Sequence, residues 1–394
     1  RNKPTKEIAM FGNNPSLIDR SSLLRKRSRL IAALIVLLLA ALAGSAAAQP
    51  ASADAVYVMS NAAAGNAILV FDRAVDGTLN PAGSFPTGGA GTGGGLGSQG
   101  ALIISEDGQY LFTVNAGSDE ITSFRLDSGT PVFADKIASN GDLPISLTYH
   151  RRRLVVLNAG GSGNLSTFRV RPNGTLAHVP GSTRPLSNGG VGPAPGPAQV
   201  EFAPNGSQLI VAEKASNLLL TYPIAGFNLG APTTHASAGM TPFGFGFGNR
   251  NLLIVSEAFG GAPNASAVSS YQVGQGSLQS ITPSAPTNQT AACWIVVTGN
   301  GRYTYTTNTG SGSVSGYAIA ADGSLTLLDA DGRTGVTGDG SSPIDAALDH
   351  DSNFLYVLNA GAHTVTAFRV HGDGSLTNLG DVAVPTGSVG IAAH

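Results

Sequence analysis

The sequence has little cysteine and little charge. Cys293 is the single cysteine among 394 residues, and only 12% of the residues are charged. A chain with one cysteine forms no internal disulfide, so its stability must come from its core. Cys293 lies in an apolar run, residues 291–297, which predicts a buried small hydrophobe rather than a nucleophile. No helical periodicity of useful length follows residue 55, so the chain is not predicted to be helical.

Common catalytic and metal-binding motifs are also missing. The sequence contains no H-E-x-x-H, C-x-x-C or G-x-S-x-G. Its histidines are scattered, with no partner at ligand spacing. A Gly-rich stretch, residues 87–100, ends in a formal G-x-G-x-x-G, but a strand-like run follows it where the dinucleotide fingerprint requires a helix. We therefore expect no cofactor and no metal, and interpret this stretch as a flexible loop.

Basic residues are few outside the N-terminus. Eight of the 22 basic residues and two of the 24 acidic residues precede residue 51, which leaves 14 and 22 and a net charge of −8. A nucleic-acid partner requires a positive face, so none is expected. The one remaining basic run, residues 151–153, falls where other copies of the repeat described below have a turn, and is predicted to be a solvated turn.

The N-terminal 53 residues are predicted to be processed rather than folded. Residues 1–20 are interpreted as an unstructured or mis-started extension, since Met10 is the first possible start. Residues 21–53 combine a basic cluster, an apolar run and a small-residue stretch, as a secretory signal peptide does. Cleavage is expected after Ala48 or Ala53, with an uncleaved membrane anchor as the alternative. The mature protein, residues 54–394, is then secreted or periplasmic, with no stable membrane insertion.

What the sequence has in abundance is a repeat of about 50 residues, a period typical of propeller blades. Each copy contains short apolar runs separated by turn formers, which predicts antiparallel strands. Three features stay in register across the copies. The second run ends in a polar residue: Asn61, Asn115, Asn158, Glu213, Glu257, Asn308 and Asn359. The third run carries an aromatic residue: Phe71, Phe124, Phe168, Tyr222, Tyr271, Tyr317 and Phe368. Four copies then have a Gly-containing turn, at residues 76–77, 173–174, 322–323 and 373–374.

Seven copies predict an all-β fold, a seven-bladed β-propeller of four-stranded antiparallel blades. The first copy lacks its first strand, and a matching run, Val389–Ala393, stands at the C-terminus. We therefore predict that this run pairs with residues 56–59 and closes the ring, which removes free sheet edges.

The polar residue at the end of the second strand marks the candidate site. In a propeller this end faces the inter-blade loops, where a central funnel usually takes ligands. Glu257 and Glu213 are the catalytic candidates, because glutamate is a poor turn former. Their alternative is a structural role, such as an ion pair with Lys214 or Arg250. The substrate-binding candidates are Asn115, Asn158, Asn308 and Asn359, with local turn chemistry as the alternative.

These repeats resemble the seven-bladed propeller lactonase family, which includes 6-phosphogluconolactonases and carboxymuconate-cyclising enzymes. The resemblance rests on GQYLFTVNAGSDEITSFRL at residues 108–126, NAGGSGNLSTFRV at 158–170 and DGSLTLL at 322–328. It covers about residues 55–394. The resemblance implies the propeller fold and lactone chemistry at the funnel, with Glu257 matching the family's glutamate.

The family's cationic positions are not matched. Residues 196–200 contain no histidine where the family has one, residues 240–243 lack its Arg-His pair, and Thr309 follows Asn308 in place of an arginine. A phosphorylated substrate is therefore not expected. Two hypotheses remain: a lactonase-like enzyme that hydrolyses or forms a lactone, or a non-enzymatic propeller that binds a small molecule, glycan or protein. Either is expected to be a monomer.

Overall fold

The structure, a computed structural model, describes residues 54–394. The signal peptide and N-terminal extension fall outside these residues and stay predictions. Within residues 54–394, no helix is long and apolar enough to span a membrane.

Seven antiparallel sheets of four or five strands form the described chain. Blade 1 holds β1 (Ala55–Met59), β2 (Ala67–Arg73), β3 (Leu79–Pro86) and β31 (Val389–Ala393). Blade 2 holds β4 (Leu102–Ile104), β5 (Tyr110–Asn115), β6 (Glu120–Asp127) and β7 (Thr130–Ala138). Blade 3 holds β8 (Pro144–His150), β9 (Arg153–Asn158), β10 (Asn164–Val170), β11 (Leu176–His178) and β12 (Arg184–Pro185). Blade 4 holds β13 (Pro197–Phe202), β14 (Gln208–Glu213), β15 (Leu218–Ala225), β16 (Asn228–Leu229) and β17 (Thr233–Ala236).

The last three blades repeat this plan. Blade 5 holds β18 (Pro242–Gly248), β19 (Leu252–Glu257), β20 (Ala267–Val273) and β21 (Leu278–Pro286), with 3-10 turns at Asn249–Asn251 and Phe259–Gly261. Blade 6 holds β22 (Ala292–Val297), β23 (Tyr303–Asn308), β24 (Ser313–Ile319), β25 (Leu325–Leu327) and β26 (Gly335–Val336). Blade 7 holds β27 (Pro343–Leu348), β28 (Phe354–Asn359), β29 (Thr364–Val370) and β30 (Leu376–Ala383). The predicted all-β propeller of seven blades is confirmed.

The C-terminal strand closes the ring, as predicted. β31 pairs with β1 in antiparallel register, with Val56 opposite Ala393 and Val58 opposite Ile391. The innermost strands β31, β4, β8, β13, β18, β22 and β27 contact one another in this order, and β27 contacts β31. Every blade therefore has a neighbour on both faces.

The repeated aromatic residues fill the spaces between blades. All seven are at most 3% exposed. The tyrosines among them also form hydrogen bonds to the neighbouring blade, because a buried phenol needs a hydrogen-bond partner. Tyr222 donates to the Pro185 carbonyl of blade 3, and Tyr317 donates to the Ala285 carbonyl of blade 5.

The Gly-containing turns dock on the preceding blade. Gly77 has a φ of +94°, and a Cβ there would lie 2.2 Å from the Phe354 ring of blade 7. Its carbonyl accepts a hydrogen bond from the Tyr356 hydroxyl of that blade. Glycine is therefore required both by the backbone conformation and by the close approach.

The predicted solvated turn is confirmed for Arg151 and Arg152 but not for Arg153, and the predicted burial of Cys293 is confirmed. Arg151 and Arg152 form the exposed turn between β8 and β9, and Arg153 begins β9. Cys293 lies in β22 and is 7% exposed.

Deleting residues 388–394 should strongly destabilise the protein. The deletion removes β31, leaves β1 as an open edge and uncovers the buried residues that β31 packs against. We expect a lower thermal midpoint and aggregation, measured by calorimetry and light scattering. The substitution Val75→Ala, at a 97% exposed position, is the control and should change neither. A deletion variant as stable and soluble as the intact chain would show that closure is not needed.

Candidate functional site

All seven innermost strands line a central cavity. One part, of about 400 Å³, is lined by β4, β8, β13, β27 and β31. An adjoining part, of about 250 Å³, is lined by β13, β18 and β22 together with residues shared by both parts: Gln99, Glu201 and Leu348. Glu201 therefore lies where the two parts of the cavity adjoin.

The Glu201 carboxyl has few hydrogen-bond partners to stabilise its charged form. One side-chain hydrogen bond reaches it, from the Gln199 Nε2 to its Oε2 at 2.8 Å. The same Gln199 amide pairs with the backbone of Phe245 in blade 5, through Nε2 to its oxygen at 2.9 Å and Oε1 to its nitrogen at 2.6 Å. Gln199 is therefore fixed in place. Glu201 keeps some exposed surface toward the cavity, but the protein atoms around it desolvate the carboxyl and raise its pKa to about 8; the Gln199 hydrogen bond opposes this only in part.

Asp345 supplies a second carboxyl to the cavity. It is 3% exposed and lies in β27, where its Oδ1 accepts from the Ala346 backbone nitrogen at 2.9 Å. Burial raises its pKa well above the ordinary value, against the hydrogen bonds from the Ala346 and Ile391 backbone. Burial thus raises the pKa of both Glu201 and Asp345. The lining also includes the exposed Glu106, so the cavity holds three carboxyl groups.

No lysine, arginine or histidine of residues 54–394 lines the two parts of the cavity. Most of the other side chains in the lining are apolar, with Ile103, Val200 and Leu348 as examples. An anionic ligand would lose its hydration without gaining a cationic partner, which is costly. The described residues also contain no group of three or more His, Cys, Asp or Glu side chains able to hold a metal ion.

The structure places Glu257 inside blade 5, away from this cavity. The side chain is fully buried. Its Oε1 accepts from the Ser269 hydroxyl at 2.5 Å and the Gly239 backbone at 2.7 Å, and its Oε2 accepts from the Ser284 hydroxyl at 2.5 Å. Burial raises the pKa of Glu257, and these hydrogen bonds oppose the rise. The carboxyl therefore joins strands β19, β20 and β21 at one end of the blade.

Glu213 is held in the same manner and is also fully buried. Ser187 donates to it through its backbone nitrogen at 3.0 Å and its hydroxyl at 2.5 Å, and Ser216 donates at 2.6 Å. Among the described residues neither glutamate forms an ion pair with Lys214 or Arg250. The structure does not bring the two glutamates together at a shared cavity, and their catalytic role stays a prediction.

The four candidate asparagines are fully buried, and each donates a hydrogen bond within its own blade. Asn115 also accepts from Asn66 of blade 1 and from Thr87, which precedes blade 2. Asn115 donates to Thr122 at 2.8 Å, and Asn359 donates to Thr366 at 2.8 Å. Asn308 donates to Ser315 at 2.9 Å, and Asn158 to Asn164 at 2.9 Å. These donated bonds go to side chains on the following strand and not to the turn backbone that the alternative named, and none of the four asparagines lines the central cavity. Their part in substrate binding stays a prediction.

The sequence interpretation missed Glu201 and Asp345. A repeat alignment of the first strands contains a signal for Glu201. Glu201 pairs with the second-strand residue that lies three positions before the end of that strand. The first-strand residues with the same pairing in five other blades are Ile103, Thr148, Gly246, Val296 and Ala347. Glu201 is the carboxylate in this otherwise uncharged set.

Comparison with known proteins identifies the family. The model of the seven-bladed β-propeller lactonases matches residues 51–185 and 249–389, more than half of the chain. The chain therefore belongs to the seven-bladed β-propeller lactonase family. No curated protein matches the sequence.

Solved structures share the fold at low sequence identity. A 6-phosphogluconolactonase candidate from Bacteroides fragilis is 18% identical with a TM-score of 0.66, over 88% of this chain and 99% of its own. A protein from Lactobacillus plantarum is 17% identical with a TM-score of 0.69, over 86% and 99%. A periplasmic gluconolactonase from Pseudomonas aeruginosa is 20% identical with a TM-score of 0.64, over 84% and 97%. These likenesses show the fold alone.

The substitution Glu257→Gln should lower stability by about 1–3 kcal/mol, because it disrupts a buried, fully hydrogen-bonded carboxyl. Chemical denaturation measures the effect. Asp127→Asn, at an exposed position, is the control and should be close to neutral. Unchanged stability for Glu257→Gln would contradict the structural role and favour the predicted catalytic one.

Stability should fall as pH rises through the titration of Glu201. Its pKa is about 8 in the folded protein against 4.5 ordinarily, so its contribution is full below pH 4.5 and is lost by about pH 8. Relative to wild type, Glu201→Gln should gain on the order of 1–4 kcal/mol between these limits. Denaturation at a series of pH values measures this, with the exposed Asp127→Asn as control. Parallel pH profiles for wild type and Glu201→Gln would contradict the raised pKa.

Proposed function

We propose that this protein hydrolyses an uncharged lactone in the central cavity, with Glu201 as the general base. The observation that supports the proposal is a carboxyl with a raised pKa, bordering both parts of a cavity that can hold a small ring. A base whose pKa lies near the working pH is suited to moving protons in catalysis. Membership of the lactonase family supports the reaction class.

In this mechanism the ionised Glu201 takes a proton from water as the water oxygen attacks the lactone carbonyl. The ring C–O bond then breaks, and the protonated Glu201 returns its proton to the departing ring oxygen. The product is the open hydroxy acid. Burial raises the pKa of Asp345 well above its ordinary value, and in its protonated form this carboxyl provides an O–H donor in the same cavity for the negative oxygen that forms during attack.

The substrate class follows from the charges of the lining. A phosphate or carboxylate on the substrate would meet three carboxyl groups, Glu106, Glu201 and Asp345, and no cation within the described residues. An aldonolactone or aliphatic lactone without an ionised group carries no such penalty. Export of the protein, which its N-terminal sequence predicts, agrees with an unphosphorylated substrate.

A second candidate function is non-enzymatic binding of a neutral small molecule in this cavity. The observation that favours it concerns hydrogen-bond donors. The amide groups of Gln99 and Gln199 already donate to the Ile295 and Phe245 carbonyls. Fewer donors then remain to stabilise an oxyanion.

A lactone panel with four proteins tests these proposals: wild type, Glu201→Gln, Asp345→Asn and Glu257→Gln. We expect wild type to open neutral lactones, with a rate that rises with pH through about 8, where Glu201 ionises. Glu201→Gln should lower the rate by about 10²-fold or more, the usual contribution of a general base. Phosphorylated and carboxylated lactones should react poorly.

The substitutions distinguish the alternatives. If only Glu257→Gln loses turnover while it stays folded, the general base is Glu257, the residue that the family resemblance predicts. Saturable binding of neutral lactones without turnover in any protein would favour the binding function. Turnover that none of the three substitutions affects would contradict both placements of the base.

A further inference from the structure

The Gly-rich stretch spans the central cavity instead of remaining a loop between blades 1 and 2. Gln99, which precedes the first strand of blade 2, pairs with the backbone of Ile295 in blade 6. Its Nε2 donates to the Ile295 oxygen at 2.7 Å, and its Oε1 accepts from the Ile295 nitrogen at 3.0 Å. Blades 2 and 6 lie on different sides of the ring, so this side chain bridges the channel.

Further hydrogen bonds fix the same segment to other blades. Trp294 of blade 6 donates from its indole nitrogen to the Ser98 oxygen at 2.9 Å. Ser98 donates from its hydroxyl to the Ile145 oxygen of blade 3 at 2.8 Å. Gln99 donates from its backbone nitrogen to the Ala198 oxygen of blade 4 at 3.0 Å. Residues 95–100 are thus attached to blades 3, 4 and 6, and we call them the plug.

Lys214 provides one more attachment. Its Nζ donates to the Gly97 oxygen and lies 4.6 Å from the centroid of the Phe243 ring. Burial lowers the pKa of Lys214. At the base of the Gly-rich stretch, Asn61 accepts from the Thr92 backbone at 3.0 Å and donates to the Gly94 oxygen at 2.6 Å. The segment is therefore held at both ends.

Burial along the innermost strands shows which end of the channel is open. The first four residues of β18 and of β22 are buried, while the last residues, such as Phe247 and Val297, are partly exposed. β27 and β31 also end in partly exposed residues, Leu348 and Ala393. The strands are thus covered where the plug lies. Five of the seven, β4, β18, β22, β27 and β31, end in partly exposed residues, whereas β8 and β13 end in the buried His150 and Phe202.

From these contacts and this gradient we propose that the plug closes one end of the cavity and that ligands enter only from the opposite face, where the first strands end. Gln99 then forms the end wall, and its amide sets the depth to which a ligand can enter. The cavity is that of the proposed function, but the inference rests on geometry and its test requires no turnover.

A thiol-labelling experiment tests the direction of entry. A reporter is placed in each part of the cavity, Val296→Cys or Ile103→Cys, in a Cys293→Ser background. The rate of modification by methyl methanethiosulfonate is then measured. Leu348→Trp adds bulk at the open end, beside both parts of the cavity, and should slow labelling of both reporters by an order of magnitude. Met240→Trp is the control, at a position that is 57% exposed, and should have no effect.

Opening the plug should reverse the slower labelling that Leu348→Trp causes. Gln99→Ala added to Leu348→Trp should restore labelling, because it removes the side chain that bridges the channel. The single tryptophan, Trp294, reports on the plug without any label. Its emission should shift to longer wavelength and become more accessible to acrylamide in Gln99→Ala, with the circular dichroism spectrum unchanged. Labelling that Leu348→Trp does not slow would show entry past the plug and overturn the proposal, whatever the outcome of the lactone panel.

Discussion

The fold depends on covering both faces of each sheet. A four-stranded sheet with aromatic and aliphatic residues on both faces is stable only between two others, and a ring is the arrangement that gives every blade two neighbours. β31 completes blade 1 with a strand from the far end of the sequence, so the last blade and the first pack like any other pair. The aromatic residues of the third strands and the glycine turns that dock on the preceding blade are consequences of this packing.

The same constraint explains the polar residue at the end of the second strand. That residue ends a strand that is flanked by the first and third strands of its blade. It is buried there, so its side chain must be hydrogen-bonded. Asn115, Asn308 and Asn359 each donate to a hydroxyl seven residues later. Glu257 bonds to Ser269, twelve residues later, because an insertion lengthens its turn. A carboxylate accepts several hydrogen bonds and donates none, and the serines around Glu257 and Glu213 provide the donors.

The sequence predicted the fold better than the site. Repeats fix the fold, because every blade contributes the same evidence, and even the pairing of β31 with β1 followed from one missing strand and one extra strand. The site depends on exceptions to the repeat. Glu201 occupies a strand position that is uncharged in the other blades compared. Gln99 contacts a residue 196 positions away, in a stretch whose glycine content indicated only a loop.

Glycine content alone could not distinguish a loop from a plug. Gly100 has a φ of +82°, and a Cβ there would lie 3.1 Å from the Ser146 hydroxyl. Such positions let backbone pass close to the innermost strands and carry the Gln99 side chain into the channel. Closing that end limits exchange with bulk water, and burial is what raises the pKa of Glu201. The plug and the ionisation of the candidate base are therefore linked, since a wider opening would solvate the carboxylate and bring its pKa back toward the ordinary range.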